Sequence, residues 1–98
     1  LMPQVTFGPA ARAEVLEAMG WYKTHAPDIA ERFVAEIEAT VVRIAENPLH
    51  FPVVFKNLRR ARLRRFPYGL VFLVEEAGIH VLACFHSNRD PRRWQERN

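Results

Sequence analysis

The chain has 98 residues, of which 49% are hydrophobic and 26% charged, and it carries a formal net charge of +3. This composition is typical of one soluble globular domain, residues 1–98, and it excludes a disordered chain. No run of about 18 apolar residues occurs and the N-terminus lacks a signal-peptide pattern, so we expect a cytoplasmic protein without a membrane span.

A short strand and two helices are predicted in the first half of the chain. Residues 3–7 alternate between polar and apolar side chains, which favours a strand. From Pro9 to about Thr24 apolar residues recur every three or four positions, as in an amphipathic helix. A second helix begins at Pro27, carries a long apolar stripe and ends before Pro48. Because the link between the helices is short, we expect an antiparallel hairpin.

The second half of the chain predicts a meander of strands. Residues 49–58 are expected to form a loop or an irregular edge. Residues 59–65 alternate as a strand whose outer face carries Arg60, Arg62 and Arg64, and the alternation slips near Arg65. Residues 69–75 form the next strand, and residues 76–78 a turn whose glycine can adopt a positive φ. Residues 79–85 are almost continuously apolar, as in a central strand covered on both faces.

These elements predict an α+β fold. A helix hairpin packs on a small, mostly antiparallel sheet in the order β-α-α-β-β-β, and a short C-terminal helix follows. Asp90 and Pro91 are expected to begin that last helix as its cap and first residue. The helix carries Trp94, which is expected to be a lid on the sheet edge, and the alternative is stacking on a base. Cys84 is the only cysteine. It lies in the apolar run, which predicts a buried structural thiol.

Positive charge is concentrated in the second half of the chain. Residues 1–48 carry four Lys/Arg and seven Asp/Glu, a net of −3, whereas residues 49–98 carry ten and four, a net of +6. Five arginines fall within the seven residues 59–65. A guanidinium donates hydrogen bonds in a planar fork that matches carboxylates and phosphates. The arginine strand is therefore a candidate surface for an acidic partner or a polyanion, and the alternative is a solvated sheet face.

The remaining candidates lie near the C-terminus and at the end of the first helix. His86 follows the central strand near Arg89, Arg92 and Arg93, a setting in which a histidine can act as a general acid or base. Trp21 falls off its helix's apolar stripe and either anchors a partner or covers the hairpin loop. No metal-ligand spacing, phosphate loop or dinucleotide fingerprint occurs, so we expect neither a metal nor a cofactor.

Nearly the whole chain resembles the ParE/RelE superfamily of toxins from bacterial type II toxin–antitoxin systems. The resemblance is carried by Trp21-Tyr22, Arg32-Phe33, Asn47-Pro48, Arg65-Phe66-Pro67-Tyr68 and the closing string from His86 to Trp94. The Phe-Pro-Tyr and His-x-x-Arg-Asp-Pro-x-x-Trp strings are most similar to the ParE branch, the plasmid stabilisation proteins.

The resemblance implies a cognate acidic antitoxin that forms a hetero-oligomer with the toxin, and one of two targets. ParE-type toxins inhibit DNA gyrase by binding and have no established catalytic residues. RelE-type toxins cleave mRNA on the ribosome, often with a C-terminal tyrosine that this chain lacks. The leading hypothesis is therefore gyrase inhibition. Its predicted binding residues for target or antitoxin are Arg59, Arg60, Arg62, Arg64, Arg65, Arg89, Arg92, Arg93, Trp94 and Trp21.

Two alternatives stay open from the sequence. The first is a ribosome-dependent mRNA endonuclease that uses His86, Arg65 and Arg89 as its catalytic residues. The second is an inactive interaction module that keeps the fold and the antitoxin but no toxicity.

Overall fold

In the computed structural model, which describes residues 2–97, two antiparallel helices pack on one face of a five-stranded sheet. The predicted α+β class is confirmed. The elements are β1 (Val5–Phe7), α1 (Pro9–His25), α2 (Pro27–Glu46), a 3-10 turn (Pro48–His50), β2 (Val53–Phe55), β3 (Leu58–Arg62), β4 (Tyr68–Glu75), β5 (Gly78–His86) and α3 (Arg92–Gln95). Among the described residues, no helix is long and apolar enough to cross a membrane.

Prolines mark the starts of both long helices. Pro9 and Pro27 occupy the first helical position, where a missing N–H costs nothing. A single residue, Ala26, ends α1 and precedes α2. Its N–H donates to the carbonyl of Tyr22 at 2.7 Å, and its carbonyl accepts the N–H of Ile29 at 2.9 Å. The tight link enforces the antiparallel hairpin that the sequence predicts.

The sheet has the order β1-β5-β4-β3-β2, and only β1 runs parallel to its neighbour. The predicted meander corresponds to β3, β4 and β5, and β1 adds to it beside β5. Gly78 has a φ of 148° at the β4–β5 turn, and a Cβ there would lie 2.8 Å from the carbonyl oxygen of Gln4. The turn therefore requires glycine, as predicted.

For residues 49–58, the irregular edge is the interpretation that is confirmed, because this segment contains a short edge strand, and the sheet therefore has one strand more than predicted. Val53–Phe55 pairs with β3 as a short antiparallel edge. Lys56 adopts a φ of 51° in the turn between the two strands. Three residues that follow Pro52 are too few to show a period-two pattern, so sheet pairing rather than local sequence defines this strand.

The arginine strand is shorter than the sequence predicts. β3 ends at Arg62, and the chain turns through Arg65, whose φ is 66°. The backbone N–H of Arg64 donates to Glu36 Oε2 of α2 at 2.6 Å. Arg64 therefore does not share the outer face with Arg60 and Arg62, which corrects that prediction. The slip in alternation near Arg65 was the signal for the strand end.

Apolar side chains cover both faces of the sheet. On the inner face, beneath the helices, Phe33 and Ile44 pack against Leu70, Phe72 and other core residues. On the outer face, a second cluster consists of Leu58, Val71, Leu82, Ala83 and Trp94. A β-bulge sets Leu82 and Ala83 both opposite Val71, so both contribute to the outer cluster. The prediction that β5 is covered on both faces is confirmed.

Candidate functional site

A cleft with a volume of about 200 Å³ lies on the outer face, where the β3–β4 turn meets the exit of β5. Strand register explains its composition. Arg62 pairs with Gly69, and Gly69 pairs with Phe85 on its other side, so these three residues share one row of the outer face. We call this feature the outer cleft. It is lined by Arg60, Arg62, Leu63, Phe66, Pro67, Tyr68, Gly69, Phe85, Ser87, Arg89, Pro91 and Trp94.

Arg60 lies across the sheet rather than pointing into solvent. A Cβ at Gly69 would lie 3.2 Å from the Cγ of Arg60 and 3.4 Å from its Cδ. Gly69 therefore lets the aliphatic part of Arg60 rest on β4. Burial, and secondarily the positive charge of Arg62, lowers the pKa of Arg60. Both causes disfavour the charged form of Arg60, whereas a nearby anion would favour it.

Arg89 borders the outer cleft from the side of β5. After the strand, the N–H of Arg89 donates to the carbonyl of His86 at 3.0 Å, which closes a turn. The guanidinium lies 4.0 Å from the carboxylate of Glu17, and both side chains are largely exposed. An exposed pair at this distance is weak. Arg89 is therefore free to reorient towards a ligand, and it borders a second cleft beside α1 as well.

Trp94 forms the floor of the outer cleft at its C-terminal side. Its side chain is only 3% exposed, and it makes edge-to-face contacts with Phe55 and Phe85. It therefore lies over the outer sheet face, and its predicted role as a lid is confirmed. The carboxylate of Asp90 accepts the N–H of Arg92 at 3.0 Å, but α3 begins at Arg92, so Pro91 rather than Asp90 occupies the N-cap position.

An ion pair that the sequence analysis missed holds the C-terminal segment in place. Arg97 donates to both carboxylate oxygens of Glu14, at 2.9 and 3.0 Å, and to the carbonyl of Leu82 at 3.0 Å. Glu14 also accepts the N–H of Cys84 at 3.1 Å. The ion pair therefore provides hydrogen-bond partners for the carbonyl of Leu82 and the N–H of Cys84, which follow the part of β5 that pairs with β1. Since its two members lie 83 positions apart, no local signal could have revealed it.

The remaining predicted binding arginines lie elsewhere. Arg59 points to the helix side, where its guanidinium donates to the carbonyls of Leu49 and Phe51 at 3.3 and 2.7 Å. It therefore anchors the 3-10 turn. Arg64 and Arg65 line a groove beside α2 that also contains Arg32. Further exposed cations follow β5, where Arg92 is paired with Asp90 at 2.6 Å and Arg93 is exposed.

The structure does not bring the three residues of the endonuclease alternative into one cleft. Arg89 lines the outer cleft, whereas Arg65 lines the groove beside α2. His86 packs edge-to-face on Tyr68, and its Nδ1 accepts the N–H of Asn88 at 3.1 Å. Only Nε2 of His86 can then carry the ring proton of the neutral form. Burial raises the pKa of Tyr68, so its phenol stays protonated at neutral pH.

Trp21 is 55% exposed and stacks on His25 with ring centroids 4.3 Å apart. Both residues line the cleft beside α1, which has a volume of about 420 Å³ and also contains Glu14, Glu17 and Arg89. Tyr22, in contrast, contacts Phe33 within the core. The stacking places an apolar surface at the tip of the hairpin, and the role of Trp21 in partner binding remains a prediction.

Cys84 is buried, as predicted, and burial with a secondary effect of Glu14 raises its pKa to about 12. We expect iodoacetamide to alkylate the folded chain at least about 100-fold more slowly than the unfolded chain near pH 9, because only the thiolate reacts. Mass spectrometry of samples quenched over time, with and without guanidinium chloride, measures both rates. Rapid alkylation of the folded chain would contradict a buried thiol.

No group of His, Cys, Asp and Glu residues suited to a metal ion occurs within residues 2–97. The chemistry of the outer cleft is instead that of several hydrogen-bond donors on an apolar floor. Such a surface can bind acidic groups, and it offers no positioned acid–base pair.

Comparisons with known proteins agree on one family. A family model described as the ParE toxin of type II toxin–antitoxin system, parDE, matches residues 5–91. Proteins called Toxin ParE2 from two strains of Mycobacterium tuberculosis (CDC 1551 / Oshkosh and ATCC 25618 / H37Rv) are 30% identical over 79 residues, which cover 80% of this chain and 75% of each relative. A solved structure described as the chromosomal ParDE TA system from P. aeruginosa shares the fold with a TM-score of 0.76 and 20% identity. The match covers 87% of this chain and 96% of that one.

Proposed function

The chain belongs to the ParE toxin family of type II toxin–antitoxin systems, and we propose that it inhibits DNA gyrase by binding it in the cytoplasm and is neutralised by a cognate acidic antitoxin. The observation that carries this proposal is the outer cleft. Arg60, Arg62 and Arg89 all line this cleft, and no described lining residue carries a carboxylate. Cations on an ordered sheet surface complement an acidic protein surface and accelerate association with it.

Inhibition by binding also agrees with the arrangement of the titratable groups. A general acid or base must lie within hydrogen-bond reach of the proton that it transfers. His86 and Arg65 do not line a common cleft, because Arg65 lies in the groove beside α2. A toxin that acts by binding needs no such convergence, only a preformed surface.

An antitoxin partner is supported by the fold neighbour from P. aeruginosa, which is described as a ParDE toxin–antitoxin system. The charge distribution of this chain favours an acidic partner, since residues 49–98 carry a net charge of +6. We infer that the antitoxin covers part of the basic surface and so blocks the contact with gyrase. The two proteins then form a hetero-oligomer in which the toxin is inactive.

A supercoiling assay with purified bacterial gyrase and relaxed plasmid tests the proposal. We expect the chain to inhibit supercoiling and to trap cleaved plasmid, and an equimolar amount of the protein encoded beside it to restore activity. The Lys56→Glu variant is a control for the effect of charge outside the outer cleft, because it reverses a charge at the β2–β3 turn. Undiminished supercoiling, together with codon-positioned mRNA cuts in a translation extract, would contradict gyrase as the target.

A further inference from the structure

Two buried N–H donors of the outer cleft have no acceptor within the described part of the chain. They are Nε of Arg60 and Nε1 of Trp94. Nearly all buried polar groups in folded proteins find a hydrogen-bond partner, and leaving one unpaired destabilises the fold. Both residues line the same small cleft, so a ligand bound there is one source of the missing acceptors.

Both donors are held in place before any ligand binds. The stem of Arg60 rests on Gly69, which leaves no room for a side chain between them. Trp94 is fixed by its contacts with Phe55 and Phe85, and the segment that carries it is tied to α1 by the ion pair of Arg97. Donors that are already oriented lose little entropy on binding.

The charge around the donors is of one sign. Arg60, Arg62 and Arg89 line the cleft, and none of the described residues that line it carries a carboxylate. Apart from Ser87 and the hydroxyl of Tyr68, the other lining residues are apolar and include Pro67, Phe85 and Pro91. A ligand that fits must therefore carry a negative charge on acceptor oxygens and present an apolar flank.

We propose that the outer cleft binds a single Asp or Glu side chain from an acidic peptide segment of a partner protein, with the carboxylate oxygens accepting the N–H groups of Arg60 and Trp94. This inference rests on the proposed function, because it names the chemical group by which a protein partner is recognised there. Arg62 and Arg89 then add charge from the rim.

The geometry favours a peptide carboxylate over a nucleic acid. Binding to single-stranded nucleic acid uses exposed aromatic faces on which bases stack, and Trp94 is buried. The cleft volume of about 200 Å³ is also below the roughly 300 Å³ at which small-molecule sites begin. It has room for one acidic side chain, with the peptide backbone running over the rim.

The indole N–H resonances of the chain provide a direct test, since it has only two tryptophans. We would titrate the labelled protein with the capped peptide Ac-Val-Glu-Val-NH2 and with its glutamine counterpart, and record ¹H–¹⁵N spectra. The glutamate peptide is expected to shift the Trp94 Nε1–H signal downfield along a saturating curve and to leave the Trp21 signal in place. We expect its affinity to exceed that of the glutamine peptide at least tenfold.

Variants and competing ligands decide the outcome. Arg60→Met should weaken glutamate-peptide binding at least tenfold, and Lys56→Met, which removes one positive charge at the β2–β3 turn outside the cleft, should not. No shift at Trp94, equal affinity for both peptides, or tighter binding of inorganic phosphate or an RNA trinucleotide would each overturn the proposal. If the chain inhibits gyrase but does not bind the glutamate peptide at Trp94, only the proposed carboxylate site is refuted. If it binds the peptide but does not inhibit gyrase, only gyrase as the target is refuted.

Discussion

Trp94→Ala is expected to lower the free energy of unfolding by about 3–5 kcal/mol, the usual cost of removing a buried tryptophan. The side chain is 3% exposed, and it covers Leu58, Val71 and Ala83 on the outer sheet face. Its loss would expose that apolar cluster to water. Because small domains are stable by only about 5–15 kcal/mol, one substitution would remove a large part of the total. Urea denaturation followed by circular dichroism measures the change.

Trp94→Phe is the matched control for this prediction. Phenylalanine keeps an aromatic ring against Phe55 and Phe85 and removes the unpaired indole N–H. We therefore expect a loss of no more than about 1.5 kcal/mol, as for other substitutions that keep an apolar side chain of similar size in a core. If Trp94→Ala cost less than about 1 kcal/mol, the C-terminal segment would not be docked on the sheet in solution.

The helices and the meander could be predicted because local rules determine them. Pro9 and Pro27 mark helix starts, and three- and four-residue spacing identifies the face that packs on the sheet. The sequence also indicates the side of the sheet on which Arg59 lies. Arg59 is two positions before Ala61 in the same strand, so both lie on the helix side, where Arg59 donates to the carbonyls of Leu49 and Phe51.

The candidate site could be predicted only in part, because its geometry depends on tertiary contacts. The sequence shows that Arg60 and Arg62 share a face, but it does not show that Gly69 makes room for the stem of Arg60. It also does not reveal that the chain turns at Arg65 and takes Arg64 to the side of α2. These features follow from cross-strand neighbours, which a single sequence does not specify.

Arg60→Met is expected to change stability and function in opposite directions. Methionine can follow the same path over Gly69, and it removes a half-buried charge whose Nε lacks an acceptor. Replacing an unsatisfied polar group by an apolar one of similar shape often stabilises a protein, here by about 1 kcal/mol. The same substitution removes a donor and a charge from the outer cleft. We therefore expect at least a tenfold weaker inhibition of gyrase, or about 1.4 kcal/mol of binding free energy.

Urea denaturation and the gyrase titration, performed on the same preparation, measure both effects of Arg60→Met. Lys56→Met is the control for charge alone, because Lys56 lies at the β2–β3 turn, outside the outer cleft. A parallel loss of inhibition in both variants would mean that net charge rather than the cleft governs binding. A less stable Arg60→Met variant would mean that the guanidinium is satisfied within the free toxin. Greater stability with weaker inhibition would instead show that Arg60 is kept for a partner at the expense of the fold, as expected for a residue selected for binding.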